Sequence, residues 1–589
     1  MIDLHNIPPG LILIFGALLV PFLPGKLKNI CTIILPLIAF SLIAKLPLHV
    51  PTCSWNLFPG LPAVEWLRVD KLSKAFGYIF TINAVAAFIF AFYLRKSTQH
   101  VAALIYIGGA LGTVFAGDLV SAYVNWEIMA IASTFVILAN PTAKAKGAAL
   151  RYAYLHIFGG LLFLAGLILT IGSTGSIAFD GFKPQEADLG SWLILAGFLV
   201  NAAAPPLHAW LSDAYPEASI SGGVILSAYT TKTAVYTLLR GYPGWEILVW
   251  IGCIMTVYGV IYALLENDIR RVWAYSIISQ VGFMVCAAGI GTHEAISGAT
   301  AHAFCHIIYK SLLWMSAGAI IYRVGKSKYT ELGGLYKSMP WTATWAIIGA
   351  LAMSAVPLTS GFTSKSIIIH ATEHEAHLLW AWYVLEIASA GSFFYAGIRF
   401  PYYIIFGKDA GHRPKEAPFS MHLAMGVLAF LCIFLGCYPK PLYDILPHSI
   451  GEYSAYGHVL SQLQLLAFAA LAFFVLKPFL KQTDTISLDT DWFWRKGGRG
   501  FYWLMDRTLN GFNKFAHIAF VGVLIPLIDR LVNLLPSSLA SGLLGAVVDL
   551  EGDPKTRRAA LEKMTRKGAL PIGVTACFGV FALALLLLF

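Results

Sequence analysis

The sequence predicts an all-α polytopic membrane protein with about fourteen to sixteen transmembrane helices. Three observations carry that expectation. The 589 residues are 58% hydrophobic and only 12% charged, with a mean hydropathy of +0.71, more apolar surface than a water-soluble globule could cover. Apolar windows of about 17 to 25 residues, the length that crosses a hydrocarbon core of roughly 30 Å, recur from residue 9 to Phe589. Strand-type alternation is sustained nowhere.

Taken in order, the expected spans run over 9–24, 29–47, 72–94, 101–117, 119–139, 150–172, 191–209, 219–240, 247–265, 272–291, 295–322, 341–376 (interrupted), 379–404, 419–438, 460–480 and 571–589. The first window follows Met1 without a basic n-region or a small-residue cleavage site, so it reads as a retained helix and not as a signal peptide. Two windows carry proline at membrane depth, NAAAPPLHAWL at 201–211 and SAVPLTSGFTSK at 354–365. They fall in the seventh and the twelfth helix, an odd number apart, so the surrounding blocks enter the bilayer from opposite faces. That is the pattern of inverted five-helix repeats with broken helices lining a polar cavity; a pair of ordinary proline kinks is the alternative. The organisation expected is N-terminal transmembrane helices over 1–100, a first inverted repeat over 101–265, a second over 272–404 and additional transmembrane helices over 405–480. An amphipathic cytoplasmic or lateral segment over 481–570 and a final transmembrane helix over 571–589 complete it. Within 486–550 apolar and charged faces alternate, with Pro526 and Pro536 as breaks, and neither 486–506 nor 551–568 reads as able to span.

The net charge of +10 is spread over short loops, which excludes a nucleic-acid patch and reports orientation. Lys26/Lys28, Arg95/Lys96, Lys144/Lys146/Arg151, Arg270/Arg271, Arg323/Lys326/Lys328, Lys408/Arg413 and Lys477/Lys481 share one side if helices alternate. That side is expected to be cytoplasmic in a bacterial or archaeal inner (plasma) membrane, with the N-terminus and the loops 48–70 and 173–190 outside. The eight cysteines form no CxxC, which argues against an iron–sulfur cluster or a zinc ribbon. His370, His374 and His377 in HATEHEAH have a spacing that could hold a metal, but read as a solvated outer turn.

An ionisable group at bilayer depth costs at least about 2.5 to 3.5 kcal/mol on insertion scales, so it is normally paired or functional. Glu127, Lys232, His302, His306, Lys310, Lys365 and Glu386 all fall in apolar windows. Positions 302, 306 and 310 drift only about 80° around a helix while rising about 12 Å, and so form one polar stripe. Two imidazoles that titrate near 6.5, roughly, and a lysine can pass protons along it. The alternative is histidines bonded to backbone carbonyls and a snorkelling lysine, for which Lys310 lies too near the middle of its window. For Glu127 and Lys232 a structural ion pair between helices is the competing account, compatible with a pair that exchanges partners.

NWE, PPLHAWLSDA, LLENDIRRVWAYSIISQVGF, HAFCHIIYKSLLW and PLTSGFTSK resemble signature stretches of the antiporter-like subunits shared by respiratory complex I, membrane-bound hydrogenases and Mrp-type cation/proton antiporters. The resemblance covers roughly residues 100–410, in order, and with TTKTAVYTLLR and the C-terminal region is nearest the D-type Mrp component. It implies that Glu127 is the fifth-helix glutamate, Lys232 the eighth-helix lysine, His302, His306 and Lys310 the central relay, and Lys365 the exit residue. His208 and Glu386 are accessory positions. Asn201 stands where the family has a lysine partner for the glutamate, so Lys232 takes over or the first half-channel is altered. The expected function is proton translocation by charge relay in a multisubunit membrane complex, Mrp-type or complex I-like. Expected partners are small hydrophobic subunits and at least one paralogous subunit, with lipid around them. The chain is expected to have no cofactor and no metal of its own, since nucleotide loop, cluster ligands and catalytic triad are all missing; any redox chemistry would lie in other chains. Sodium/proton exchange is one alternative, for which Glu127 alone is a thin carboxylate site. A non-conducting scaffold docking a soluble module is another, favoured by Asn201 and opposed by the HAFCHIIYK stripe.

Overall fold

The computed structural model describes residues 7–48, 53–55, 63–450, 453, 455–478, 483–484, 488–531, 553–557, 559–560 and 563. The chain divides into two units, Met1–Thr490 and Asp491–Phe589. Eleven of the described helices are long and apolar enough to cross a membrane, and the chain is an integral membrane protein.

The first unit opens with α1 (Pro9–Leu19) and α2 (Gly25–Lys45). A two-stranded antiparallel hairpin of β1 (Cys53–Trp55) and β2 (Val64–Leu67) follows, where the sequence suggested only a loop. Next come α3 (Lys71–Phe90), α4 (Ser97–Phe115), α5 (Leu119–Leu138), α6 (Ala143–Thr174) and α7 (Leu189–Asn201). Three of these begin on the same D-x-x-S device. Asp70, Asp118 and Asp188 accept the backbone N–H of Ser73, Ser121 and Ser191, whose hydroxyls return the bond to the aspartate N–H. Such reciprocal caps satisfy helix-end donors near the interface, where a lost partner is expensive.

The chain continues through α8 (Ala209–Ala214), α9 (Ile220–Leu226), α10 (Thr230–Gly241), α11 (Ile247–Leu265), α12 (Ile269–Ile290), α13 (His293–Val324), α14 (Pro340–Met353), α15 (Ser360–Glu373) and α16 (Leu379–Ser392). α16 passes into π-helical turns at Phe393–Arg399 and Pro401–Ile405, and α17 (Phe419–Cys437), α18 (Lys440–Tyr443) and α19 (Val459–Leu476) close the unit. Both proline breaks are present, and their backbones match. Ala203 and Ala355, each two residues before a proline, adopt φ of 61° and 55°. In each break the same pattern of i−4, i−3 and i−5 bonds follows: Ala202 to Phe198, Ala203 to Val200 and Ala204 to Leu199; Ser354 to Ala350, Ala355 to Ala352 and Val356 to Leu351. One expectation fails nearby. The window 219–240 is not one helix, because the backbone opens between Leu226 and Thr230.

Hydrogen bonds gather the connections into two groups. On one face Leu119 N donates to Ile177 O, Phe182 N to Gly241 O and Gly244 N to Ala288 O. On the other, Ile269 N donates to Ser327 O, Tyr329 N to Asn267 O, and Arg270 reaches Ala218 O. The outer surface between them is apolar: α6 exposes Leu150, Ile157, Leu161 and Ile168 while burying Tyr152, His156 and Phe163. α11 and α12 pack closely, since a Cβ on Gly252 would lie 2.4 Å from Cys286 N and one on Gly259 2.4 Å from Ser279 N.

In the second unit α20 (Asp491–Met505) and α21 (Gly511–Ala516), joined and followed by π-helical turns, form one run from Asp491 to Leu531 of 41 residues, about 60 Å. The expected break at Pro526 is absent, since proline inside a long helix can be accommodated by local π adjustments. By length and composition that run as a whole is long and apolar enough to cross a membrane, its apolar stretch lying beyond the charged part that ends at Arg507. Pro536 and the expected final helix 571–589 lie outside the described residues.

Candidate functional site

The site is built around α13, a helix of 32 residues in which every position from Ala295 to Ile320 is buried. α12, α14, α15 and α17 surround it, so its polar stripe faces protein all the way round. His302, His306 and Lys310 are each 0% exposed. Lys310 Nζ donates to Ser276 Oγ on α12, lies 3.5 Å from Met353 Sδ and sits 5.3 Å above the Trp273 ring. Lys365, on α15 beyond the second break, donates to Met353 O at 3.4 Å and sits 5.0 Å above Phe283. One residue at the broken end of α14 therefore touches both lysines. Its carbonyl is available because the helix stops there.

Between these lysines His302 Nδ1 meets Ser364 Oγ at 3.2 Å, while both ring nitrogens of His306 are without a hydrogen-bond partner among the described residues. The two imidazoles are 6.2 Å apart, and Tyr309 lies 5.3 Å from His306 and 6.3 Å from His302. His306 is within electrostatic reach of Lys232, Lys310, His302 and Lys365. Like charges this close in a low-dielectric interior repel strongly, so a second proton on the stripe is favoured only when a neighbour gives one up. Glu386, on α16, is the carboxylate in reach of Lys365 and lines a cavity of about 670 Å³ between α11, α16 and α19.

The first half is arranged differently. Glu127 and Lys232 are not paired: Lys232 Nζ donates to Ser227 O at 2.8 Å and Thr231 Oγ1 at 3.0 Å. The carbonyl it takes is one freed by the opening between α9 and α10. Glu127 Oε1 is buried, without a partner among the described residues, against Gly160 of α6, where a Cβ would lie 2.0 Å from it. Asn201, at the end of α7, is fully buried with both side-chain polar atoms likewise unpartnered, and it occupies in its break the place of Met353 in the other. His156 was not singled out from the sequence. It lies on α6 one turn before Gly160, with Nδ1 on Tyr152 O at 2.9 Å and Nε2 free of any hydrogen bond to the described residues. Tyr152 continues to Thr230, at 3.4 Å, beside Thr231 and Lys232.

His208, past the first break, meets a second missed residue: its Nε2 donates to the Asp489 carboxylate at 3.0 Å. On the opposite face His370 Nδ1 bonds Glu294 at 2.6 Å and stands 4.1 Å from His374, beside a cavity of about 810 Å³.

Residues 116–394 match the family model described as NADH:quinone oxidoreductase/Mrp antiporter, TM. The chain is 28% identical over 501 residues to the A-type component of the Na(+)/H(+) antiporter of Alkalihalophilus pseudofirmus, covering 74% of this chain and 61% of that one. It is 30% identical over 333 residues to hydrogenase-4 component B of Escherichia coli, covering 51% and 50%. The chain thus spans only about half to three fifths of the length of these relatives. One chain of an archaeal membrane-bound sulfane sulfur reductase shares the fold with a TM-score of 0.70 at 24% identity, over 99% of this chain and 100% of that one. Over the matched segment the chain is similar to antiporter-type subunits of such membrane complexes, and it shares the fold of the solved reductase chain.

Proposed function

We propose that the chain is a proton-translocating antiporter-like subunit of a multisubunit membrane complex, and that Lys232, His302, His306, Lys310 and Lys365 pass protons by charge relay. The observation that carries this is the burial of all five ionisable side chains in one continuous polar interior, each with few or no hydrogen bonds to protein. A structural role would call for satisfied partners, because an unpaired buried polar group costs about 1 to 3 kcal/mol. The two imidazoles stand 6.2 Å apart, a separation that a single water can span between unsatisfied polar groups. Glu127, His156 and Tyr152 lead from the first half toward Lys232, and Asn201, which carries no charge, leaves Lys232 as the first lysine of the path. The chain's partners are other membrane subunits of the same complex. The face holding 266–271 and 325–331 carries the basic connections and lies on the cytoplasmic side of a bacterial or archaeal plasma membrane, with the N-terminus outside.

The test is proton uptake into proteoliposomes holding the intact complex, wild type against Lys310→Ala, with and without sodium. Flux in the assembled variant should fall by at least about tenfold, a change of roughly 1.4 kcal/mol. Unchanged flux would make the stripe structural and bring a docking scaffold to the front. Sodium-dependent uptake would identify cation/proton exchange.

A further inference from the structure

The short segment 488–490 reaches into the broken end of α7. Thr490 Oγ1 donates to Pro206 O at 3.1 Å, and Tyr262 OH on α11 donates to Leu488 O at 2.8 Å. Between these two anchors Asp489 is only 6% exposed. Its carboxylate accepts from His208 Nε2 at 3.0 Å, Tyr275 OH at 2.5 Å, Ser212 Oγ at 3.4 Å and the Tyr258 hydroxyl. Burial pushes this carboxyl up, but the hydrogen bonds from His208, Tyr258 and Tyr275 outweigh it and hold Asp489 well below the usual carboxylate range.

An anchor alone needs neither an ionised carboxylate nor an imidazole. His208 is 0% exposed, lies edge-on to Tyr258 at 4.4 Å, and its Nδ1 has no hydrogen-bond partner among the described residues. An ionised carboxylate only accepts, so Nε2 carries the hydrogen and Nδ1 keeps its lone pair. That is the tautomer able to take a proton inside the protein, with a counter-ion already in place for the imidazolium. On the other side of the carboxylate, Tyr275 is followed directly by Ser276, the residue that holds Lys310.

We propose that Asp489 is a positioning residue that makes His208 a proton-accepting site on the way to Lys310, so that the segment just ahead of Asp491 completes the translocation machinery. This deepens the proposed function and rests on it. The proton adds to Nδ1, Nε2–H stays bonded to Asp489 throughout, and release from Nδ1 restores the starting tautomer. The groups facing the pair are Tyr258, Tyr275 and Ser212; the Arg271–Glu266 pair at 3.0 Å stands behind Tyr275, and Asp213, next to Ser212 on α8, pairs with Arg151 of α6 at 2.7 Å. None of them offers His208 a second counter-ion in direct contact.

The test is ¹⁵N-histidine magnetic resonance of the intact purified complex, the His208 signal being the one lost in His208→Gln. Asp489→Asn should weaken the proton affinity of His208 at least tenfold, Asp489→Glu should restore most of it, and the pH profile of proton uptake should move in the same sense. Tyr275→Phe, which strips one donor from the carboxylate, should shift His208 the opposite way and serves as the independent variant if Asp489→Asn does not assemble. A His208 titration that does not move in the assembled Asp489→Asn complex, or in Tyr275→Phe, overturns the proposal and leaves Asp489 as an anchor. The titration needs no turnover. A wild-type complex that moves no protons would therefore overturn the transport reading separately.

Discussion

Glu127 shows how little space the site leaves to its charged groups. Its Oε1 is seated where a Cβ of residue 160 would stand, so only glycine at that position leaves the carboxylate in place. Gly160→Ala is expected to displace Glu127 and lower proton flux about tenfold without loss of assembly, whereas Gly159→Ala, whose Cβ would meet the Val200 side chain at 3.1 Å, should cost less. Parallel uptake assays on the two variants decide it, and equal losses would mean that helix packing and not the carboxylate is responsible. His306 allows a sharper separation of structure from function. With both nitrogens unpartnered among the described residues in a fully buried site, His306→Leu should leave thermal stability equal or higher while flux collapses, because exchanging an unsatisfied polar group for an apolar one is close to neutral. A fall in melting temperature of several degrees would contradict this. His302, His306 and Lys310 were legible in the sequence because a single helical period brings them together. His156 and Asp489 were not, since each looks ordinary beside its neighbours and becomes notable only through Tyr152, Glu127 and His208 on other elements.

The helices themselves were read well where proline marked them. NAAAPPLHAWL and SAVPLTSGFTSK announced two breaks, and both share a left-handed alanine that no propensity would have chosen. A β-branched residue is a genuine outlier in that conformation, so Ala355→Val should destabilise the assembled protein by roughly 1 to 2 kcal/mol and Ala355→Gly should be tolerated. Thermal unfolding of the purified complex measures both, and a stable valine variant would mean that the break can be rebuilt. The opening between α9 and α10 escaped the sequence reading because SAYTTKTA carries neither proline nor glycine. There the helix yields to a tertiary demand, a carbonyl for the buried ammonium of Lys232. The run from Asp491 to Leu531 failed in the opposite sense, Pro526 being taken for a stop where the helix goes on.

Across the whole first unit the connections divide into two faces, and the basic residues collect on the one where 488–490 is bound. Asp489 ties that segment down through its ionised form. Its folded value is depressed, so the stabilisation is fully present above the ordinary aspartate value of about 3.9 and is lost as pH falls through the lower folded value. Hydrogen-exchange protection factors of the backbone amides of 488–490 should stay constant from neutral pH down to about 4 and decline only below it. A decline already near pH 6 would assign the hold to His208 instead. The sequence by itself determined the solvent, the number of helices to within a few, the two proline breaks and the identity of the buried charges. These follow from hydropathy, period and the cost of burying an ionisable group, all of which are local quantities. Only the tertiary structure decided which groups meet: Met353 between Lys310 and Lys365, Glu127 apart from Lys232, Asp489 on His208. Partners of this kind come from helices far apart in the chain, and no local pattern encodes the packing that brings them within hydrogen-bond distance.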